Sequence, residues 1–391
     1  ALYPDYSYYN ERYSKIYLEH MEITPELDSL AFAIIGEAET DTAKIARIYH
    51  WVQQNIRYIS IKGTLASGKG GHYAQITYDN KYGDCTDKSV LFATLLRIVG
   101  VEAYSISLLT NSSGFPDRDL FPSNETNHCV NEVWWDGEPH VLDATGTYYR
   151  FPYYSMGDSD LWYCNYIRGE TVYNPPIQPE DNARSLKRSI TIDGDGTAML
   201  NDSLHFTGSY EVSWRAWFDR KNPDEQKKTI ENLINNRSGS RLDTFHLHNL
   251  SEINLPFSID YQYSTENYVD QIDHFAIIDL PTVPVQFPEI SLKRRNYGIK
   301  LPSTKLLENH VAIEIDSTFE ISYLPESINI TNDYITFTAD VNMDGNTIIL
   351  YNTFETKKMR IPVEDYILYK EDAESVLKYL KNKIILTKKL I

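Results

Sequence analysis

The sequence predicts an α+β fold: helices followed by antiparallel strands in the first 175 residues, then a mostly antiparallel, sandwich-like β region with a C-terminal helix. Three observations carry this. Apolar residues recur at three- and four-residue steps between Asp41 and Tyr58. A second apolar run, Val90 to Val99, follows a glycine turn and ends at Gly100. Beyond residue 180, short alternating runs are separated by turn signals.

Residues 1–40, rich in Tyr and charge, form a lead-in segment to a first domain spanning 1–175. The helix predicted from Asp41 to Tyr58 places Ile45, Ile48, Tyr49, Val52 and Ile56 on one face, with Asp41 as its cap. A loop with four glycines follows between Gly63 and His72, and then the helix headed by Cys85. Strands are predicted at Ala103–Leu109, His128–Trp135 and His140–Asp143, the last two joined by an Asp136-Gly137 hairpin turn. The proline cluster of Asn174-Pro175-Pro176-Ile177-Gln178-Pro179 reads as a boundary. The second region, 180–391, divides again near 305 in this reading. Its turns include Asp193-Gly194-Asp195-Gly196 and Asp344-Gly345, with a helical insertion at Asp224–Asn235. A terminal amphipathic helix is expected from Asp372 to about Ile384, with Ala373, Val376, Leu377, Leu380 and Ile384 on one face.

Bulk properties narrow the function classes. The chain has 391 residues, enough for two or three domains, and its net charge of −18 argues against nucleic acid or anionic membrane as a partner. Three cysteines, Cys85, Cys129 and Cys164, are too few for a disulfide scaffold. No apolar run reaches the roughly 18 residues of a membrane span. No metal or other cofactor is expected. Gly63 to Gly70 nearly matches a phosphate-binding loop, but Gly70 stands where a magnesium-binding hydroxyl is needed. Asp193–Gly196 lacks the glutamate of a calcium loop, since Leu204 occupies that position.

The chemistry is expected in Cys85, His128 and Asp143. Gly83-Asp84 delivers Cys85 to a helix N-terminus, where unpaired N–H groups and the dipole favour a thiolate. A lone cysteine there is more often a small buried hydrophobe, so the reading depends on a base. His128 begins one strand of the Asp136-Gly137 hairpin, and Asp143 follows Val141-Leu142 on the other. A carboxylate after two apolar residues is costly to bury unless paired, and an imidazole across the hairpin supplies the partner. Cys129 is expected on the opposite face of the strand from His128, in the core. The aromatic run Tyr148-Tyr149-Arg150-Phe151-Pro152-Tyr153-Tyr154 reads first as packing and second as a cleft lining.

Residues 41–147 resemble the transglutaminase-like branch of the papain-like cysteine enzymes. The resemblance rests on His50-Trp51-Val52-Gln53-Gln54-Asn55-Ile56-Arg57-Tyr58, on Tyr82-Gly83-Asp84-Cys85-Thr86-Asp87-Lys88-Ser89, on Asn127-His128 and on Leu142-Asp143-Ala144-Thr145. Relatives often carry Lys directly after the cysteine, where this chain has Thr86. The resemblance implies a papain-like core and a Cys85-His128-Asp143 triad for acyl transfer, with the Cys85 backbone N–H as one oxyanion donor. Gln53, Gln54, Gln75 and Tyr82 are candidates for the second donor, none preferred. Hydrolysis of peptide or amide bonds in a peptide or protein substrate is the expected reaction. Protein-glutamine transglutaminase activity and a non-catalytic scaffold role are the alternatives. More loosely, the whole chain resembles bacterial multidomain proteins with a β-rich C-terminal region. Those usually carry a further β-rich domain before the core, expected to be missing here. An extracytoplasmic location (periplasmic, cell-surface or secreted) is the corresponding expectation.

Overall fold

The computed structural model describes residues 7–60, 70–113, 126–235, 239–266 and 268–389. Most of the Gly63–His72 loop, including the near phosphate-binding pattern up to Lys69, lies outside the described residues. The chain divides into two compact units, residues 1–177 and 178–391.

The first unit begins with three helices, α1 (Ser7–His20), α2 (Pro25–Ile35) and α3 (Asp41–Asn55). Thr24 caps α2 by accepting from the Leu27 N–H, with Pro25 at the first helical position. Thr40, not Asp41, caps α3, accepting from the Ala43 N–H; Asp41 is the first helical residue and pairs with Lys44. The helix ends at Asn55 rather than Tyr58 because the next residues leave for a sheet. There β1 (Arg57–Tyr58) pairs in parallel with β2 (Tyr82–Gly83). Between these strands lies α4 (Ala74–Asn80), and directly after β2 comes α5 (Cys85–Ile98).

Helix α5 is the axis of this unit, buried at Cys85 and from Asp87 through Leu96. Its apolar side chains meet those of α2, α3 and one face of a five-stranded antiparallel sheet. The strands are β3 (Ala103–Leu108), β4 (His128–Trp135), β5 (Glu138–Leu142), β6 (Leu161–Asn165) and β7 (Glu170–Asn174), in the order β5-β4-β3-β6-β7. Asp136 and Gly137 both take positive φ, 53° and 83°, as the turn between β4 and β5 requires. Polar groups under the helix are matched: Ser89 Oγ donates to the Val130 carbonyl and Asn131 Nδ2 to the Ser89 carbonyl.

The second unit opens with β8 (Ala183–Ile192) and β9 (Ala198–Phe206), joined by a turn that Gly196 completes at φ 90°. Helices α6 (Gly208–Asp219) and α7 (Pro223–Ile234) follow, then β10 (Ser240–His248), β11 (Ser258–Thr265), β12 (Asp270–Ile272), β13 (Phe275–Asp279) and β14 (Ile299–Lys300). The rest is β15 (Lys305–Ile315), β16 (Phe319–Tyr323), β17 (Ile328–Thr331), β18 (Ile335–Asp344), β19 (Thr347–Thr356), β20 (Arg360–Ile361), α8 (Tyr366–Tyr379) and β21 (Lys383–Lys388). An eight-stranded sheet runs β10-β11-β9-β8-β15-β19-β18-β17, and a four-stranded sheet runs β12-β13-β21-β16. All their pairs are antiparallel except β8 with β15. Position 305 begins β15, whose pairing with β8 runs from Leu306↔Ala183 to Ile315↔Ile192.

The chain does not close on its last helix as expected. Helix α8 stops at Tyr379, and Ile384 belongs to β21 instead. The β-branched pair Ile384-Ile385 reads better as strand, and β21 is held from both sides by β13 and β16. The Trp214–Phe218 aromatic cluster forms part of α6.

Candidate active site

Cys85 owes its place to the residues before it. Arg57 N–H donates to the Lys81 carbonyl and Ile59 N–H to the Gly83 carbonyl, fixing the chain just ahead of the helix. At Gly83 any side chain is excluded: a Cβ would lie 2.4 Å from the Asp87 Cβ. Asp84 then caps α5, its Oδ1 accepting from the N–H groups of Thr86 (2.9 Å) and Asp87 (3.1 Å). Asp87 Oδ2 in turn accepts from the Asp84 N–H at 3.0 Å, a reciprocal capping box. The other Asp87 oxygen accepts from the His72 backbone at 2.7 Å and lies 3.0 Å from its Nδ1. Cys85 is thus the first helical residue, 8 % exposed.

The hairpin brings the predicted partners together. His128 Nε2 lies 3.3 Å from Asp143 Oδ2, and Cys85, in the same cleft, is near enough to raise the pKa of the ring. Asp143 sits one residue beyond β5 and is buried. Its other oxygen accepts from Thr145 N–H (2.8 Å) and Thr145 Oγ1 (2.6 Å). Its backbone carbonyl accepts from the Tyr49 hydroxyl of α3 at 3.0 Å. Burial disfavours charge on His128, but bonds to Asp143 and Cys85 and the nearby carboxylates outweigh it and raise its pKa to about 11. Burial works against Asp143 as well, and the contacts from His128 and Thr145 hold its carboxyl below the usual range.

Three further groups of the site carry no local sequence motif of their own. Asp158, buried in a short turn, has Oδ1 4.0 Å from His128 Nε2. Lys88 is buried on α5, donating to the Ile56 carbonyl at 2.8 Å, and burial depresses its pKa to about 8. Tyr58, in β1, lies near enough to Cys85 that burial and then the thiol's charge raise its hydroxyl pKa. The Asp143-Ala144-Thr145 spacing could have revealed the Thr145 contact, since a hydroxyl two residues on commonly returns to an aspartate.

A cleft of about 240 Å³ opens beside Cys85 and His128. Its aromatic wall comes from Tyr13 and Tyr17 of α1 and from Tyr166, not from the 148–154 run. Tyr149 and Tyr153 instead offer their carbonyls to Gln53 and Tyr49, and the Phe151 N–H donates to His50 Nε2. Cys129 is buried in the core as expected, yet it also lines this cleft, beside the Tyr17 hydroxyl at 3.8 Å. Burial pushes its thiol up to about 12. None of Gln53, Gln54, Gln75 and Tyr82 lines the cleft. Gln75 donates to Glu26 and Asp79.

A larger cavity, about 620 Å³, crosses the eight-stranded sheet of the second unit. Three registered rows line it, one running His246–Asp260–Ser203–Lys187–His310–Tyr351. It contains no cysteine, whereas the smaller cleft is lined by Cys85 and Cys129. Among the described residues, one group has the ligand types and spacing for a metal: His128, Asp143 and Asp158, within 4.8 Å of one another. No described helix is long and apolar enough to cross a membrane.

Residues 28–143 match the profile of the transglutaminase-like superfamily, and residues 276–386 that of a domain of unknown function with a solved structure, DUF3858. The human kyphoscoliosis peptidase is 24% identical over 130 residues, which are 33% of this chain and 19% of that protein. The fold is similar to the crystal structure of a "putative protease" from Parabacteroides distasonis ATCC 8503, with a TM-score of 0.61 and 13% identity. That match covers 98% of this chain and 59% of the other. A "putative cysteine protease" from Cytophaga hutchinsonii matches 33% of this chain, and 41% of its own, at 22% identity and a TM-score of 0.25. The chain therefore spans about a fifth of the human relative and about three fifths of the Parabacteroides structure.

Proposed function

We propose that this chain, whose residues 28–143 form a transglutaminase-like domain, is a cysteine-dependent acyl-transfer enzyme that hydrolyses peptide amide bonds. Cys85 is the nucleophile, His128 the acid and base, and Asp143 the group that orients His128. One observation carries the reading: His128 lies 3.3 Å from Asp143 and lines the same cleft as Cys85, which is near enough to raise its pKa.

In this reading Cys85 reacts as the thiolate and His128 holds the proton, its pKa being raised to about 11, against the cost of burial, chiefly by Asp143. Cys85 Sγ attacks the amide carbon, forming the C–S bond while the carbonyl π electrons move to oxygen. Collapse of that intermediate breaks the C–N bond, and the amine leaves with the His128 proton. Water then attacks the thioester, giving a proton to His128. The C–S bond breaks, the acid departs, and the ion pair is restored. The Cys85 backbone N–H at the start of α5 serves as one oxyanion donor. The substrate chain occupies the cleft walled by Tyr13, Tyr17 and Tyr166.

The test is the alkylation rate of Cys85 against pH, resolved by peptide mass spectrometry with Cys129 and Cys164 as internal controls, alongside release of fluorogenic peptides. Fast reaction below neutral pH that moves to the ordinary thiol range in His128→Ala supports the reading. Equal reactivity of the three thiols would overturn it. Amine incorporation into a protein acceptor in place of peptide release would shift the assignment to cross-linking.

A further inference from the structure

The cleft beside Cys85 has a mouth and a floor, and burial tells them apart. Asn127 at one end is exposed and Thr126 half-buried, whereas Tyr17 is 1 %, Cys129 3 % and Ser107 7 % exposed. Residues that line a cleft yet are almost closed to solvent form its inner end. The floor is tied together at its polar atoms: the Tyr17 hydroxyl lies 3.2 Å from Ser107 Oγ and 3.8 Å from Cys129 Sγ. Tyr166 closes the side, its ring centroid 5.0 Å from that of Tyr13 and 6.2 Å from that of Tyr17.

Tyr13 and Tyr17 come from α1, which precedes the residues 28–143 matched by the superfamily profile. The helix is docked at its far end as well. His20 Nδ1 lies 2.8 Å from the Gly70 carbonyl, and the Tyr73 hydroxyl donates to Glu19 at 2.5 Å. The approach at Gly70 is close enough that a Cβ there would lie 2.2 Å from Ile16 Cγ2. The two tyrosines are therefore held from both sides, and the space they leave is small. At about 240 Å³ the cleft falls below the roughly 300 Å³ at which pockets for small molecules begin, so it takes one short side chain beside the nucleophile. A branched or aromatic side chain would have to displace the Tyr17 ring, which closely packed surroundings resist.

We propose that α1 sets the substrate class of this site: Tyr17, backed by Tyr13 and Tyr166, limits the residue seated beside Cys85 to glycine, alanine or serine and refuses branched and aromatic ones. The nucleophile belongs to the domain that the profile matches, and its selectivity to the helix in front of that domain. The Tyr17 hydroxyl and Ser107 Oγ, each able to donate or accept, give a serine hydroxyl its partners. The peptide preference rests on the hydrolysis proposed for Cys85, whereas the size limit of the pocket does not.

The size limit is read by alkylating Cys85 in the intact chain with iodoacetamide and with its bulkier N-phenyl analogue, each rate divided by that on N-acetylcysteine. Wild type should disfavour the bulky reagent roughly tenfold or more. Tyr17→Ala should remove most of that discrimination, and Tyr17→Phe, which keeps the ring, should retain it. Tyr13→Ala takes away a half-buried ring with less disturbance of the core and should shift the ratio in the same direction by less. Near-ultraviolet circular dichroism and continued protection of Cys164, which does not line the cleft, establish that each variant is folded. In a Cys85→Ala background, adding Tyr17→Ala should speed the modification of Cys129 by methyl methanethiosulfonate several-fold, since the floor is then open. No discrimination in wild type, the same ratio in Tyr17→Ala, or an unchanged Cys129 rate would overturn the proposal. Paired fluorogenic peptides with serine or phenylalanine flanking the scissile bond separate it from the hydrolytic reading. Equal kcat/KM for the two peptides would keep hydrolysis and sink the size limit. Release of neither peptide, with the reagent ratio and the Cys129 response as expected, would sink hydrolysis and sustain the size limit.

Discussion

Buried carboxylates occur in both units of this chain, and they are satisfied in opposite ways. In the second unit, Glu211 pairs with Arg215 one turn away at 2.8 Å, both 1 % exposed. The same guanidinium donates to the carbonyls of Asn249, Leu250 and Leu255. Arg188 likewise clamps Asp202 with two bonds of 2.6 Å. Each anion has its own permanent cation, a guanidinium that does not lose its proton. In the first unit, Asp143 and Asp158 share one imidazole, which also contacts Cys85. Lys88, the buried cation nearby, spends its ammonium on the Ile56 carbonyl. One-to-one pairing holds a fold together; a shared, titratable cation leaves protons free to move. That difference separates the proposed chemical site from the structural ion pairs.

The comparison breaks most sharply through substitution. Cys85→Ala should abolish peptide release, a loss of at least about 10³-fold, with the melting temperature nearly unchanged. Activity retained in that variant would put the nucleophile elsewhere. Arg215→Ala should do the reverse. It strands Glu211 in the core and should cost about 3–5 kcal/mol of stability, measured by urea unfolding, while Cys85 alkylation under folding conditions is retained. A loss below about 1 kcal/mol would place that pair with the weak surface bridges.

The titratable site should also leave a mark on stability against pH. His128 has its folded pKa raised from 6.5 to about 11, so the unfolded chain loses this proton first. Its stabilisation is complete below 6.5 and disappears as pH rises toward about 11. Lys88, depressed from 10.5 to about 8, contributes the opposite slope between those values. Denaturant midpoints should therefore fall between 6.5 and 8 and then flatten where the two slopes oppose each other. His128→Asn should remove the first fall, and a slope unchanged in that variant would assign it to other groups. The guanidinium pairs predict no such dependence in this range.

What the sequence revealed follows the same division. Local patterns are legible: the period of α3, the Asp136-Gly137 turn, and a cysteine at a helix start. These depend on neighbours within a few residues. Asp158 was not legible, because Gly157-Asp158-Ser159-Asp160 reads as an ordinary polar turn. Its meaning comes from Asn111 and Asn174, whose bonds to the turn exist only in the fold. Tyr13 and Tyr17 reach the cleft for the same reason, through a lead-in helix with no motif of its own. The end of α8 is not legible because Ile384 fits both the helical face and a strand, and only β13 and β16 decide between them.

The smallest expected effect compares two helix caps. Thr40 caps α3 and Asp84 caps α5, and removing either should cost about 1 kcal/mol. Only the second cap presents the cysteine. Thr40→Ala should leave Cys85 alkylation unchanged, since its one cap bond goes to the Ala43 N–H. Asp84→Ala frees the N–H groups of Thr86 and Asp87 and breaks the reciprocal bond with Asp87, so the turn carrying Cys85 loosens. Alkylation should slow in that variant by more than its stability loss explains. Asp84→Asn, which retains the cap, should recover the stability. If the two alanine variants alkylate at the same rate, the capping box serves α5 only as a helix, and the placement of Cys85 depends on the β1–β2 pairing and on the close fit at Gly83.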